Sequence, residues 1–234
     1  MHFPGPLQCG RLIKRYKRFL ADIVLDTGEE ITAHCANPGS MMGVAIEGAT
    51  VWVSKSPSKT RKLPYSWELI DLDTTLLAIN TNNPNKIASD AIELRAIPEL
   101  TGYENLRREV KYGDASRIDI LLEGGRREAP CYVEVKNVHL MRTKGLAEFP
   151  DSVTTRGTKH LKELTSVMEQ GARAIMLFVV QRSDCTKFSP AADLDPTYAE
   201  NLNAANNAGV ELLCYDCDIT TEEVRLRRPL PIVL

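Results

Sequence analysis

Apolar and polar residues alternate in short runs over the first third of the chain. Residues 19–25, 31–35, 50–53 and 67–72 each read as a strand, and turn-forming residues separate them. Several short strands with frequent turns in so small a segment predict a barrel, and an open five-stranded OB-like β-barrel is the economical arrangement. The stretch Thr81-Asn82-Asn83-Pro84 breaks this pattern and sets an expected boundary, with one domain over residues 1–82 and a second over 83–234. Beyond Pro84 the period lengthens, and Ile87, Ala91, Ile92 and Leu94 form a helical stripe that stops before Pro98. There follow a strand at 108–112, two strands at 117–122 and 131–138, a helix at about 155–170, an apolar strand at 174–180, a helix after Pro196 and a strand at 210–215. This order predicts an α/β domain on a mixed sheet. Residues 224–228 alternate like an edge strand with a basic face.

The two strands at 117–122 and 131–138 carry the chemistry. The residues between them, 123–130, include Gly124, Gly125 and Pro130 and read as a hairpin loop. Because side chains alternate between the faces of a strand, Ile118, Ile120 and Leu122 share one face and Asp119 points the other way. Val133 and Val135 likewise oppose Glu134 and Lys136. With both apolar sets on one core, Asp119, Glu134 and Lys136 converge on the opposite surface. Two facing carboxylates repel unless a cation sits between them, and Mg²⁺ takes hard oxygen ligands while keeping several waters. A lysine beside such a metal can hold a water or offset the charge of a phosphoryl transition state. On an ordinary solvated sheet face, the same residues make only a cross-strand salt bridge.

Arg117-Ile118-Asp119 followed by Val133-Glu134-Val135-Lys136 resembles the Asp and Glu-x-Lys motifs of the PD-(D/E)xK, or restriction-endonuclease-like, nucleases. More widely, the sequence resembles the sugar fermentation stimulation protein A family. The similar segments are His34-Cys35-Ala36-Asn37-Pro38-Gly39, Glu109-Val110-Lys111-Tyr112-Gly113, Phe149-Pro150-Asp151 and Arg156-Gly157-Thr158-Lys159-His160-Leu161. They span most of the chain. The resemblance implies an N-terminal OB-like barrel, a restriction-endonuclease-like α/β domain and DNA as partner. In an enzyme of this kind Asp119 and Glu134 bind Mg²⁺ or Mn²⁺, aided by a main-chain carbonyl near Val135, and Lys136 orients the attacking water. Glu93 and Glu109 are both candidates for a third acid. The family's name points equally to a DNA-binding regulator of sugar-metabolism genes in which the acidic site is idle.

Charge narrows where DNA would be held. With 29 Lys and Arg against 31 Asp and Glu, the net charge is −2, so local patches must make any phosphate contacts. One patch is Arg11, Lys14, Arg15, Lys17 and Arg18, interleaved with Tyr16 and Phe19, which suits phosphates and stacked bases but also suits a solvated turn. A second is Lys55, Lys59, Arg61 and Lys62, on a loop broken by Pro57. Arg117 joins the candidates, as do Arg156, Lys159 and His160, which fall on one side of a helix start that Asp151 or Thr154 can cap. Leu161, Leu164 and Met168 form that helix's packed side. The first residues lack the apolar run of a signal peptide and no later segment is long enough to span a bilayer, so a cytoplasmic protein with six reduced cysteines is expected. Cys214-Tyr215-Asp216-Cys217 is solitary, lacking the further ligands of a zinc site and the helix start of a redox site.

Overall fold

The computed structural model describes residues 1–112 and 116–234; Gly113, the end of one family-like segment, lies outside the described residues. β1 (Gln8–Tyr16), β2 (Leu20–Leu25), β3 (Glu30–His34), β4 (Thr50–Lys55), β5 (Tyr65–Asp71) and β6 (Leu76–Ala78) form one sheet in the order β3-β2-β1-β4-β5-β6. A parallel contact of His34 with Ser66 joins β3 to β5 and closes the first five strands into a barrel. Leu12, Ile23, Val51, Val53, Trp67 and Ile70 fill its interior. β1 is a strand although its composition is basic, because Leu12 is the inward residue while the cations point outward. Gly10 is required there: a Cβ at this position would lie 2.5 Å from the Val24 carbonyl oxygen across the strand pair.

The second half opens with α1 (Pro84–Glu93), followed by β7 (Asn105–Tyr112), β8 (Ser116–Glu123) and β9 (Cys131–Val138). Next come β10 (Leu140–Thr143), β11 (Leu146–Phe149), α2 (Thr155–Glu169), β12 (Arg173–Val180) and β13 (Lys187–Pro190). α3 (Pro196–Asn207), β14 (Glu211–Ile219) and β15 (Val224–Pro229) complete it. The large sheet runs β15-β14-β12-β9-β8-β7, with β9, β12 and β14 parallel and the other pairs antiparallel. β10, β11 and β13 make a small separate sheet. A parallel neighbour demands a crossover, and α2 and α3 serve as the two crossovers, with Leu161, Leu164, Tyr198 and Leu202 packed on one face. On the other face lie Ile87, Ala88 and Ala91 of α1, Phe3 and the barrel residues Leu69 and Ala78.

Several expectations change. The acid-bearing face of β8 and β9 is not an open surface, because α2 and α3 cover it and leave Glu134 only 2 % exposed. Ile118 packs with the α2 and α3 face, out of phase with Ile120 and Leu122 on the α1 face, because the β8–β9 ladder ends at Ile120 and Val133. Leu94 is the C-cap of α1 and 76 % exposed, so Ala88 rather than Leu94 completes the buried stripe. Thr154 caps α2 by accepting from the Gly157 N–H (3.0 Å), whereas Asp151 turns to the barrel. β14 runs through both cysteines of the Cys-x-x-Cys; Cys214 faces the α2 and α3 side and Cys217 the α1 side, so the two thiols cannot share a metal or a disulfide. All six cysteines are free. Arg227 and Arg228 on the edge strand both pair with buried Asp216. Among the described residues, no helix is long and apolar enough to cross a membrane.

Barrel and second domain meet through neutral polar groups. His139 Nε2 donates to the Ala78 carbonyl (2.7 Å), Asn37 Nδ2 donates to His139 Nδ1 (3.2 Å), and the Ala78 N–H donates to the Gln181 carbonyl (3.1 Å). Burial lowers the His139 pKa from 6.5 to about 4. Between those values the unfolded chain binds a proton that the folded one refuses, so stability falls with acidification, by at most about 1.4 kcal/mol per pH unit, and levels off below the lower value. Urea unfolding followed from pH 7 to pH 4 is expected to show this slope, and His139→Gln to flatten it.

Candidate active site

Three carboxylates stand in one row across the edge of the large sheet. Arg108 faces Ile120 and Val110 faces Ile118, which sets Glu109 opposite Asp119. Ile120 faces Val133, so Asp119 stands opposite Glu134 one step further on, where the ladder has stopped. The Asp119 side chain takes over there. The Val135 N–H donates to its Oδ2 (2.8 Å), and Asn85 Nδ2 from the start of α1 donates to its Oδ1 (2.7 Å). The same Asn85 amide reaches Glu109 Oε1 at 3.4 Å. Glu109 has a φ of +54°. That conformation costs a non-glycine residue about 1 kcal/mol or more, and residues held in it gather at functional sites.

Glu134 lies deeper. Lys136 Nζ donates to its Oε1 (2.5 Å), and His160 Nδ1 contacts the same oxygen. Arg156 Nε donates to His160 Nε2 (3.3 Å), and since a guanidinium can only donate, the ring proton sits on Nδ1 and goes to Glu134. Glu134 Oε2 is buried and has no hydrogen-bond partner among the described residues. Burial opposes the Glu134 charge, but the His160 hydrogen bond and the Lys136 ammonium outweigh it and hold its pKa below the ordinary value. Asp119 goes the other way. Burial first, then the charge of Glu134, pushes its pKa up against the donors Val135 and Asn85. Burial and the same Glu134 charge raise the phenol pKa of Tyr112 and of Tyr198.

A cleft of about 680 Å³ opens over this row, with Glu109, Asp119, Asn85 and His160 inside it and the cations Arg108, Arg117, Arg156 and Lys159 along its wall. An acidic floor beneath a cationic wall has the charges to take a cation and an anion side by side. Residues 82–223 match the family model described as the sugar fermentation stimulation protein RE domain, and residues 13–79 match the SfsA N-terminal OB domain. The chain belongs to the sugar fermentation stimulation protein family. A sugar fermentation stimulation protein homolog of Maricaulis maris is 53% identical over 234 residues, covering 100% of this chain and 99% of that protein. One from Caulobacter vibrioides is 51% identical over 228 residues, covering 97% of this chain and 95% of the other. The solved structure of Pyrococcus furiosus SfsA in complex with Ca²⁺ superimposes with a TM-score of 0.88 at 27% identity, over 100% of this chain and 98% of that one. An OB barrel followed by a restriction-endonuclease-like domain is thus the family architecture.

Within that architecture the cleft brings together Asp119, Glu109, Arg117, Arg156, Lys159 and His160, with Glu134 and the 12 % exposed Lys136 beneath. Glu93 lies apart, in a separate cleft beside Arg95 and Tyr103 near the end of α1. The barrel cations have divided uses. Lys14 pairs with Asp22 (3.7 Å) and sits over the Tyr16 ring, while Arg15 Nη2 donates to the carbonyls of Arg18, Asn37 and Gly39 (2.8, 3.0 and 3.0 Å). Lys17 and Arg18 form an exposed turn beside Phe19, itself 43 % exposed. None of these four cations lines the cleft. Lys159 also pairs with Glu163 (3.5 Å). Sequence reasoning missed Asn85, which belongs to no motif, and the contact of His160 with Glu134. Among the described residues, no three His, Cys, Asp or Glu side chains form a ready-made metal cage.

The raised Asp119 pKa means that its charge costs the folded state free energy. Asp119→Asn keeps the shape and an acceptor for the Val135 N–H while removing that charge, with the Asn85 amide turned to offer its oxygen to the new N–H₂, and is expected to raise stability at pH 7. The measurement is the urea midpoint of the two proteins. The gain is expected to shrink as the pH falls through the raised Asp119 pKa, where the wild-type carboxyl takes up its own proton.

Proposed function

We propose that the chain is a DNA nuclease dependent on Mg²⁺ or Mn²⁺, with Asp119 and Glu134 as metal ligands and Lys136 as the catalytic cation. The observation that carries this reading is the buried Glu134 Oε2, which has no donor among the described residues, beside an Asp119 carboxylate whose charge is disfavoured by burial and by Glu134. An unmet oxygen next to an opposed carboxylate fits a hard divalent cation, and such a cation keeps waters in place of further protein ligands. The Ca²⁺ in the Pyrococcus furiosus relative supports a divalent site in the family. When bound, the metal supplies Lewis acidity toward a phosphate oxygen and a lowered pKa for a coordinated water.

The chain's own residues supply the rest. Lys136 Nζ, 2.5 Å from Glu134 Oε1, is positioned to hold a water or to offset charge gathering on the phosphate. His160 holds Glu134 from the other side, and Arg156 holds His160. Glu109 is favoured over Glu93 as third acid because it shares the Asn85 amide with Asp119. Arg117, Arg156 and Lys159 fit successive phosphates of the strand along the cleft wall.

Pure protein incubated with single-stranded, duplex and branched DNA in Mg²⁺, Mn²⁺ or chelator tests the reading. Metal-dependent products are expected, with the rate reduced about 10²-fold or more in Lys136→Ala and in Asp119→Asn. Intact DNA under every condition, with binding retained, would mean instead a DNA-binding regulator whose acidic site is idle. The contribution of the cleft wall is measured separately, as binding against salt concentration in chelator. Replacing Arg117, Arg156 and Lys159 by Ala is expected to flatten the log–log slope by about 0.9 for each duplex phosphate that the variant no longer neutralises. An unchanged slope would assign the phosphates to the barrel, where Lys17 and Arg18 stand exposed on the β1–β2 turn.

A further inference from the structure

A second, smaller pocket of about 290 Å³ opens where barrel and restriction-endonuclease-like domain meet. The two cavities share part of their lining. Thr81 lines both, Lys136 beneath the first is followed directly by Asn137 of the second, and Thr154 of the second lies two residues before Arg156 of the first.

Their chemistry differs. Among the described residues, no Lys or Arg lines the second pocket, which argues against a phosphate site there. Its two carboxylates are already committed: Glu148 to Arg142 (2.6 Å), and Asp151 to the barrel loop through Ser40 Oγ (3.3 Å) and the Met41 N–H (3.4 Å). What remains is neutral. The His139 ring is used up, its Nε2 donating to the Ala78 carbonyl and its Nδ1 accepting from Asn37, which leaves the second lone pairs of Asn37 Oδ1 and Asn137 Oδ1 as hydrogen-bonding edges, with Phe149, Pro150 and Val153 as apolar walls. His139 is neutral at physiological pH because burial depresses its pKa to about 4. Behind the pocket the same amide network is one donor short, since the fully buried Gln181 Oε1 has no partner among the described residues. Val153 stands at the rim and is 71 % exposed, an apolar surface left for something to cover.

Apolar walls about hydrogen-bonding acceptors, with no cation, suit a planar heteroaromatic group bearing N–H donors rather than a phosphate. We infer that this pocket takes one unstacked nucleobase of the strand whose phosphate lies in the catalytic cleft. The inference rests on the cleft being a nucleic-acid site, but not on its cutting the strand. It narrows the substrate class. A continuous duplex must flip a base out to fill the pocket, whereas single-stranded or locally unpaired DNA offers one without that cost.

The test uses the full chain in chelator, so that no strand is cut, and two dye-labelled duplexes that differ at one point. One carries a single unpaired 2-aminopurine, the other an abasic residue at the same place. Stacking a base on a protein surface is expected to favour the first duplex about fivefold or more in affinity, with a rise in 2-aminopurine fluorescence as the base leaves its neighbours. Val153→Trp, which fills the pocket from its exposed rim, should remove both the preference and the fluorescence rise while leaving affinity for the abasic duplex unchanged. Asn137→Leu provides the same test from the pocket wall if the tryptophan variant does not fold. Equal affinity for the two duplexes, or a preference that survives in the folded variant, would overturn the inference and leave the nuclease reading standing. Failure of the protein to bind either duplex would overturn both.

Discussion

A single side-chain hydrogen bond sets the geometry on which the rest of the site depends. Where the β8–β9 ladder stops, the Asp119 carboxylate accepts the Val135 N–H that a strand carbonyl would otherwise take. The backbone donor is satisfied, so the sheet can open without leaving an orphan in its interior. A carboxylate is thereby fixed opposite Glu134 in a poorly solvated place. Everything nearby answers that concentration of charge. Lys136 and His160 both donate to one oxygen of Glu134, Arg156 holds the far nitrogen of His160, and Asn85 holds the remaining oxygen of Asp119. The unmet Oε2 of Glu134 is what this network leaves over. Such unmet acceptors are costly in a folded protein unless a ligand uses them.

The second constraint is the joint between the domains. Around His139 it is built of amides, an imidazole and backbone carbonyls rather than ion pairs, so its groups there avoid the desolvation cost of buried charges. Arg15 extends the joint into the barrel by gathering three carbonyls of the β1–β2 turn and the Asn37–Gly39 loop, and Asp151 meets that loop from the other side. Gly39 is needed at this contact, since a Cβ there would lie 2.2 Å from Asp151 Oδ2. The loop so fixed is a wall of the second pocket. Domain packing and the shape of that pocket are therefore one feature.

Charge is distributed locally. A chain with a net charge of −2 has no overall attraction for an anion, yet Arg108, Arg117, Arg156 and Lys159 share one wall facing the acids. Potentials near a low-dielectric cleft are governed by such neighbours more than by the total. Many other cations are engaged internally, as with Arg142 on Glu148 and Asp193, Arg173 on Glu211, and Arg227 and Arg228 on Asp216.

The sequence by itself determined those features that follow from local backbone geometry. The alternation of side chains along a strand put Asp119 and the Glu134–Lys136 pair on matching faces, the apolar run of β12 marked the centre of the sheet, and Thr154 was a legible helix cap. Tertiary structure decided the rest. The four-residue strands β10, β11 and β13 are too short to show a period, and the basic composition of β1 hid a strand whose pairing partners lie elsewhere in the chain. Whether the acidic face meets solvent or a helix depends on the crossovers, which no strand pattern contains. Glu93 and Glu109 are equivalent as residues, and only the β7–β8 register puts Glu109 in line with Asp119. Arg15 and His160 read as free cationic groups, yet one braces a loop and the other braces Glu134. Long polar side chains reach whatever acceptor the fold brings near, and that is set by contacts between segments far apart in the chain, not by their neighbours along it.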